Sequence, residues 1–261
     1  MILALLLLAA SAAPPAAPIE EPIETPITVP SAIPVGFLLA WKPTILSVRV
    51  DSGAGSEFGS DKFQPLRGLF RYTTTAYGER LLARAEIEGG RFQSDTQGTR
   101  LGTDGFDVTL RLLGGVATRI TTGFTMTASA GFITRFQGGT QADTGAPRIG
   151  IFGVTSNMEA EYRIAPLVTI SGYVEGGLAP LPYAAQPNLG DLSDASEFRL
   201  RLQLSFDLGT KTALDVGYDF TRWHASFDGS NVLSGPGTPA TQALLMEARE
   251  HAITLGVRWK P

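Results

Sequence analysis

The sequence predicts an all-β fold: a transmembrane, antiparallel, up-and-down β-barrel of about ten strands. The first observation is alternation, because Phe198 to Leu208 reads FRLRLQLSFDL, with large apolar residues at every even position and polar or charged residues at every odd position between them. A β-strand sorts such a pattern onto two faces. The second observation is that long and short connections alternate, which is typical of outer-membrane barrels with short periplasmic turns and long external loops.

The first 42 residues are predicted to lie outside the barrel. Residues 1–13 have the pattern of a signal peptide, an apolar run followed by Ala10-Ser11-Ala12, although no Lys or Arg precedes the run. This pattern predicts export through the Sec pathway. Residues 14–42 form a proline-rich periplasmic segment, with proline at every fourth position from 18 to 34. Such spacing favours an extended polyproline II conformation.

Three roles remain open for the proline-rich segment. It can be a stiff spacer, a docking segment for a periplasmic protein partner, or a plug inside the barrel lumen.

The predicted barrel occupies residues 43–261, and alternation predicts ten strands within it, although eight or twelve also fit. Their predicted ranges are 43–51, 64–77, 79–92, 104–116, 119–136, 148–164, 167–178, 196–209, 211–227 and 246–260. Short turns are predicted at 77–79, 115–118, 165–166 and 209–211, and long loops at 52–63, 93–103, 137–147, 179–195 and 228–245. An even strand count puts both ends of the barrel on the periplasmic side.

A soluble β-protein is the alternative to a membrane barrel. A soluble sandwich would bury its apolar face in a shared core and has no reason to place every long loop at one end. A lipocalin-like barrel would carry its apolar residues inside. Here nearly every strand has one apolar face and one polar or charged face, which favours lipid outside and a polar lumen.

The chain resembles the small bacterial outer-membrane barrels of the OmpA and OmpX type, in the broad sense. The resemblance covers residues 43–261 in pattern, and the last strand, HAITLGVRW from His251 to Trp259, resembles the C-terminal assembly signal of that class. The chain departs from the class in having Lys260-Pro261 after the aromatic residue. The resemblance implies a bacterial outer-membrane location, contact with membrane lipid and lipopolysaccharide, and insertion by the barrel-assembly machinery through the last strand.

Charged side chains of both signs are predicted to face the lumen and to form ion pairs there, since isolated buried charges are costly. The ion-pair candidates are Arg111, Glu159, Glu161, Arg163, Arg199, Arg201, Asp207, Asp215, Asp219 and Arg258. The alternation within each strand also places further charged residues inside: Arg71, Arg84, Glu86, Glu88, Asp107, Glu175 and Glu197. Centring the hairpin on the 209–211 turn sets Arg201 opposite Asp219, which predicts a cross-strand ion pair.

Aromatic residues near strand ends predict two girdles at the lipid interfaces. Phe106, Phe136, Phe152 and Phe198 lie toward the loop side, and Tyr77, Tyr162 and Trp259 lie toward the turn side.

Composition excludes several functions. The formal charge of −4 offers no basic surplus for nucleic acid, and the absence of cysteine removes thiolate chemistry. No cofactor or metal site is predicted.

No catalytic residues are assigned either. Asp219 and His224 lie on one strand, an odd number of residues apart, so their side chains face opposite sides. The chain is therefore predicted not to be an enzyme.

The sequence therefore predicts a barrel with a largely filled, ion-paired lumen, acting as a structural, interaction or surface protein, or as the outer-membrane subunit of a trans-envelope assembly. A narrow porin or transport channel for small solutes is the main alternative. An enzyme active at the external rim is a third class.

Overall fold

The structure is a computed structural model, and it describes residues 35–52, 55–78, 80–93, 104–139, 149–185, 191–230 and 242–260. These residues form an all-β protein. The strands are β1 (Gly36–Trp41), β2 (Thr44–Ser52), β3 (Gly55–Gln64), β4 (Arg67–Ala76), β5 (Leu81–Gln93), β6 (Asp104–Thr121), β7 (Phe124–Gly139), β8 (Ile149–Ala165), β9 (Val168–Ala185), β10 (Asp191–Asp207), β11 (Thr212–Ser230) and β12 (Gln242–Trp259).

The strands close into a ten-stranded antiparallel barrel with up-and-down order. β1 and β2 together make the first barrel strand, because both pair with β12 in one continuous register, from Phe37 opposite Trp259 to Ser52 opposite Leu244. β3 and β4 together make the second. Each later strand pairs with the one before it, and the pairing of β12 with β1 closes the ring.

Prolines interrupt the first two barrel strands at the same level. Pro43 separates β1 from β2, and Pro65 separates β3 from β4. Proline cannot donate to a ladder, so it lies at breaks and bulges. The register moves by one residue across the break, from Trp41 opposite Gly68 to Thr44 opposite Gln64. That extra residue is a bulge, and it leaves both Gln64 and Arg67 buried in the lumen.

The outer face of the barrel is an apolar belt. On β10 the exposed or half-buried side chains run from Phe198 through Leu202 to Phe206, with Leu208 beyond the strand end, while Arg199, Arg201 and Gln203 between them are buried. Ten residue steps at roughly 3.3 Å, tilted by about 40°, give a belt about 25 Å tall, the height of the apolar band of outer-membrane barrels.

The strand order assigns the connections between strands to two ends of the barrel. Short connections at 77–80, 122–123, 166–167 and 208–211, together with Gly36 and Trp259, lie at one end, which we call the turn end. Tyr77 and Gly78 reverse the chain there with φ of 51° and 64°. The opposite end, the loop end, carries the connections at 94–103, 140–148, 186–190 and 231–241, which lie outside the described residues.

Four boundaries differ from the prediction. The second turn lies at Thr122-Gly123 and not at 115–118, because Gly114 and Gly115 belong to a β6 that continues to Thr121. The loop predicted at 52–63 is mostly strand β3. The barrel begins at Gly36, seven residues before the predicted start at 43, and β9 and β10 extend to Ala185 and back to Asp191.

The predicted signal peptide, and the proline-rich segment as far as residue 34, lie outside the described residues. No helix long and apolar enough to cross a bilayer occurs in the described ranges.

Candidate functional site

The lumen is filled by charged side chains that are almost fully buried. Among the described residues nine cations are buried: Lys42, Arg67, Arg71, Arg84, Arg111, Arg135, Arg199, Arg201 and Arg258. Ten carboxylates accompany them: Glu86, Glu88, Asp107, Glu159, Glu161, Glu175, Glu197, Asp215, Asp219 and Glu250. The near balance of the two signs leaves little net field to select one kind of ion.

Contacts between two pairs of facing strands cross the full diameter of the barrel. Arg199 on β10 donates from Nη2 to Glu88 Oε2 on β5 at 3.0 Å, and β10 lies five positions from β5 around the ten-stranded ring in either direction. Arg199 and Arg201 also contact Glu86 on β5. Arg135 on β7 likewise contacts Glu250 on β12 across the ring. Side chains from facing walls therefore meet, as a narrow barrel allows.

Asp219 on β11 is the hub of the larger cluster. Its Oδ1 accepts from Arg199 Nε at 3.0 Å and from Arg201 Nε at 2.9 Å. Its Oδ2 accepts from Thr254 Oγ1 at 3.1 Å and lies 3.6 Å from Lys42 Nζ. The predicted opposition of Arg201 and Asp219 is present in the β10–β11 register.

Arg111 on β6 joins this hub to the opposite wall. Its guanidinium lies 3.2 Å from Glu175 Oε1 through Nε and 3.3 Å from Glu88 Oε1 through Nη1, and it also contacts Glu197. Tyr173 donates its hydroxyl to Glu175 Oε2 at 2.7 Å. A chain of charge-assisted hydrogen bonds thus links β5, β6, β9 and β10.

A second cluster lies nearer the loop end. Arg67 Nη2 is 2.9 Å from Asp107 Oδ2 and 3.4 Å from Glu250 Oε2. Arg135 Nη1 is 3.3 Å from Glu197 Oε2, and its guanidinium lies 5.0 Å from the ring centroid of Trp223.

The other predicted ion-pair residues have different surroundings. Glu159 accepts from Arg84 at 2.6 Å, and Asp215 accepts from Arg258 at 2.7 Å. Asp207 lies at the turn end, where it pairs with Lys260 at 2.5 Å. Glu161 is buried and its Oε2 has no hydrogen-bond partner in the described part of the chain, and Arg163 is half-buried.

The prediction omitted Lys42, Arg67, Arg135 and Glu250. Alternation alone would have assigned three of them to the lumen. Arg67, Arg135 and Glu250 each lie an even number of residues from a residue that faces inward on the same predicted strand, namely Arg71, Thr125 and Arg258. Lys42 precedes the predicted first strand, and only the earlier start of the barrel reveals it.

The lumen becomes apolar toward the loop end. The inward positions of β11 there hold Trp223, Ala225 and Phe227, all at most 3% exposed. Ile133 and Ile151 face Trp223 from β7 and β8. A cavity of about 20 Å³, the size of one water molecule, lies among these three side chains, and Arg135 and Glu197 also line it. The polar lumen predicted from alternation therefore ends below this layer.

Aromatic rings lie on the outer face near both ends of the belt. Toward the loop end, Phe106 stacks on Phe136 at 5.5 Å between centroids, and Phe132 stacks on Phe152 at 5.6 Å. Phe198 lies 6.5 Å from Phe220. Toward the turn end, Tyr162 and Trp259 are about half exposed, and Tyr77 projects from its turn at 81% exposure.

The outer face becomes charged immediately beyond Phe198 and Phe220. Arg222 Nε is 3.1 Å from Glu247 Oε1, and Arg249 Nε is 2.7 Å from the same oxygen. Both arginines are more than half exposed. This group, Arg222, Glu247 and Arg249, marks the outer edge of the belt on β11 and β12, and we call it the rim cluster.

A hydrogen-bonded Ser–His–Asp arrangement lies beside the rim cluster. His224 on β11 is directly opposite Ser196 on β10, and its Nδ1 is 3.0 Å from Ser196 Oγ. Its Nε2 is 3.2 Å from Asp194 Oδ2. Sequence reasoning paired His224 only with Asp219 on its own strand and so missed both partners, which come from the neighbouring strand. Among the described residues, no group of three or more His, Asp or Glu could hold a metal ion.

Comparison with protein-family models finds no match, and neither does comparison with curated proteins. Among solved structures, the outer membrane protease OmpT from Escherichia coli aligns with 88% of this chain and 99% of its own, at 10% identity and a TM-score of 0.48. The P. putida toluene transporter TodX aligns with 88% of this chain and 91% of its own, at 8% identity and a TM-score of 0.34. The translocator domain of the autotransporter NalP from Neisseria meningitidis aligns with 84% of this chain and 88% of its own, at 9% identity and a TM-score of 0.39.

At these values the comparisons carry no argument about family or function. The chain is a closed ten-stranded antiparallel β-barrel, and its apolar outer belt has the height of the band by which outer-membrane barrels cross a bilayer. The prediction that it is not an enzyme is wrong, because a protease is among the proteins with this architecture. The parity argument behind that prediction is correct for its own pair, since Asp219 faces the lumen and His224 faces outward, but it considered one strand and not the pairing of two.

Proposed function

We propose that this chain is a closed outer-membrane barrel that acts through its surfaces and not through its lumen, as a membrane anchor and interaction protein. The observation that carries this is the luminal network, which joins facing walls through Arg199 and Glu88 and through Arg135 and Glu250. The apolar layer around Trp223 stands between that network and the loop end. A solute would have to break several buried ion pairs to pass.

Reconstitution in planar bilayers tests the closed lumen. The refolded barrel, checked by heat-modifiable migration on detergent gels, should give no conductance steps. Steps from the folded wild type would contradict a closed lumen and support a narrow channel.

A narrow channel is the second candidate, and one wall of the lumen favours it. Thr125, Thr127 and Ser129 on β7 are short buried polar residues, and both polar side-chain atoms of the neighbouring Asn157 have no hydrogen-bond partner in the described part of the chain. Such atoms need water. If conductance is observed, Asn157→Leu should lower it and Ser156→Ala, on the outer face of the same strand, should leave it unchanged.

For the interaction role we propose that the predicted proline-rich segment extends into the periplasm and binds a partner there, so that the barrel serves as the outer-membrane subunit of a trans-envelope assembly. The position of Gly36 and Trp259 at the same end of the barrel supports this proposal. The extended conformation predicted from the proline spacing would let about 20 residues reach roughly 65 Å at ~3.1 Å per residue. In-cell crosslinking from position 24 should yield one discrete adduct, and the same crosslinker placed at Tyr77 in the β4–β5 turn should not. Identical adduct patterns would contradict this role.

A further inference from the structure

The outer face of β10 and β11 carries a nucleophile, a base and a carboxylate in hydrogen-bond contact. Asp194 and Ser196 are two residues apart on β10, and His224 lies opposite Ser196 on β11. Ser196 is half-buried, the His224 side chain is 34% exposed and Asp194 is 64% exposed. The group is therefore open to a substrate from outside the barrel.

Only one neutral tautomer of His224 satisfies both contacts. An ionised Asp194 can only accept, so the 3.2 Å contact requires the proton on Nε2. Nδ1 is then unprotonated and accepts the hydroxyl proton of Ser196 at 3.0 Å. A serine bonded to a basic nitrogen, with the second nitrogen held by a carboxylate, is the arrangement that activates a serine for attack on an ester.

The position of this group relative to lipid identifies its substrate. The next outward pair toward the turn end is Phe198 and Arg222, at the edge of the apolar belt, and the pair after it is Leu200 and Phe220, within the belt. The group thus lies where the acyl chains end and the polar headgroups start. Lipid ester carbonyls occupy this level of a bilayer.

The surroundings favour an anionic lipid and a rigid site. Beside the group, the rim cluster holds the exposed guanidinium groups of Arg222 and Arg249, whose charges are balanced by Glu247 and Asp194. Guanidinium groups of this kind bind phosphate, the anionic part of a lipid headgroup. On the inner side, Ala195, Trp223 and Ala225 are buried behind the two strands, and a cavity the size of one water molecule lies beside Ala195 and Trp223. This buried support holds the backbone of the site in place.

We propose that Ser196, His224 and Asp194 form the active site of an esterase that hydrolyses acyl esters of anionic lipids in the outer leaflet. Ser196 Oγ attacks the ester carbonyl carbon while His224 Nδ1 takes the hydroxyl proton. The carbon–oxygen bond to the alcohol breaks, and His224 returns the proton to the leaving alcohol oxygen. Water then hydrolyses the acyl-serine by the same steps in reverse and releases the fatty acid. Asp194 is a positioning residue that holds the His224 tautomer.

Covalent labelling tests the nucleophile without a known substrate. The full-length barrel, folded in detergent micelles, is treated with a long-chain alkyl fluorophosphonate and the modified residue is located by mass spectrometry. The label should appear on Ser196. His224→Gln should lower the labelling rate by about 10²- to 10⁴-fold, the range for loss of a general base. Asp194→Asn should also lower it, and Asp194→Glu should restore part of it.

Ser156→Ala is the matched control, because Ser156 is an exposed outward serine on β8 opposite Ala130 and Gly176. This variant should label like the wild type. Heat-modifiable migration shows that each variant is folded. An absence of label on folded wild type, or a label that persists in Ser196→Ala, would overturn the proposal.

Fatty-acid release distinguishes the two lipid sources. The barrel is incubated with phosphatidylglycerol vesicles in one arm and with lipopolysaccharide in the other. Release in the first arm identifies a glycerophospholipid substrate, and release in the second identifies a glycolipid. Release that Ser196→Ala does not abolish, or release in neither arm, would overturn the proposal while leaving the closed lumen untouched.

Discussion

At the scale of single residues, the lumen depends on complete pairing. Arg199 is fully buried and contacts Asp219, Glu86 and Glu88. The charge of Arg199 is compensated only while all three carboxylates stay in place. The charges of these carboxylates are in turn compensated only while Arg199 is present. Breaking a buried ion pair by removing one partner leaves an uncompensated charge, which costs more than the pair itself contributes.

We therefore expect Arg199→Met to lower the free energy of unfolding by about 3–5 kcal/mol. Arg249→Met is the control, since Arg249 also pairs with a glutamate but is more than half exposed, and its loss should cost about 0–1 kcal/mol. Urea unfolding in lipid vesicles, followed by tryptophan fluorescence, measures both. Equal effects of the two substitutions would contradict a network of buried charges that depends on each member.

At the scale of strands, glycine permits close approach in the β6–β7 pair. A Cβ added to Gly131 would lie 1.9 Å from the carbonyl oxygen of Leu112 on the paired strand. A Cβ added to Gly114, on the outer face of β6, would meet no atom within 4 Å. The two glycines are therefore not equivalent, although both lie in regular strands of the same hairpin.

Gly131→Ala should destabilise the barrel by about 1–3 kcal/mol, because the backbone of β6 would have to move. Gly114→Ala should be neutral or stabilising by about 0.4–1 kcal/mol, since it restricts only the unfolded chain. The same urea titration compares the two. A larger loss from Gly114→Ala would show that the strands pair differently.

Sequence reasoning found most strands because lipid and lumen impose opposite polarity on alternate residues. It failed where both faces are apolar. Gly36 to Trp41 reads as a continuous apolar run, since Leu38 and Ala40 face inward and pack with Leu69. Gly115 was interpreted as part of a turn at 115–118, although residue type alone does not distinguish a turn glycine from one that lets two strands approach.

The charged lumen was predictable for the same reason, but its partners were not. Alternation assigns Arg199 and Glu88 to the inside, yet only the closed ring brings β10 and β5 face to face. The same limit applies to Ser196 and His224. Alternation assigns each of them to the outer face, and only the register of β10 on β11 places them opposite each other.

At the scale of the whole barrel, one outer surface must meet both lipid and water. The belt ends at the rim cluster on one side and near Leu208 on the other. The position of an outward residue along its strand therefore decides whether its side chain contacts lipid or water. A soluble barrel with the same exposed leucines would show no such dependence on depth.

Leu202→Lys, in the middle of the belt and 52% exposed, should destabilise the barrel by about 2–4 kcal/mol in lipid vesicles. Leu208→Lys, beyond the end of the same strand and 66% exposed, should cost about 0–1 kcal/mol, because its ammonium group reaches the interface. Both variants should still fold in detergent. Assays without urea that report only secondary structure should therefore show no difference between Leu202→Lys and Leu208→Lys. Equal costs for Leu202→Lys and Leu208→Lys in vesicles would mean that no hydrocarbon layer surrounds residue 202, and the membrane assignment would have to be abandoned.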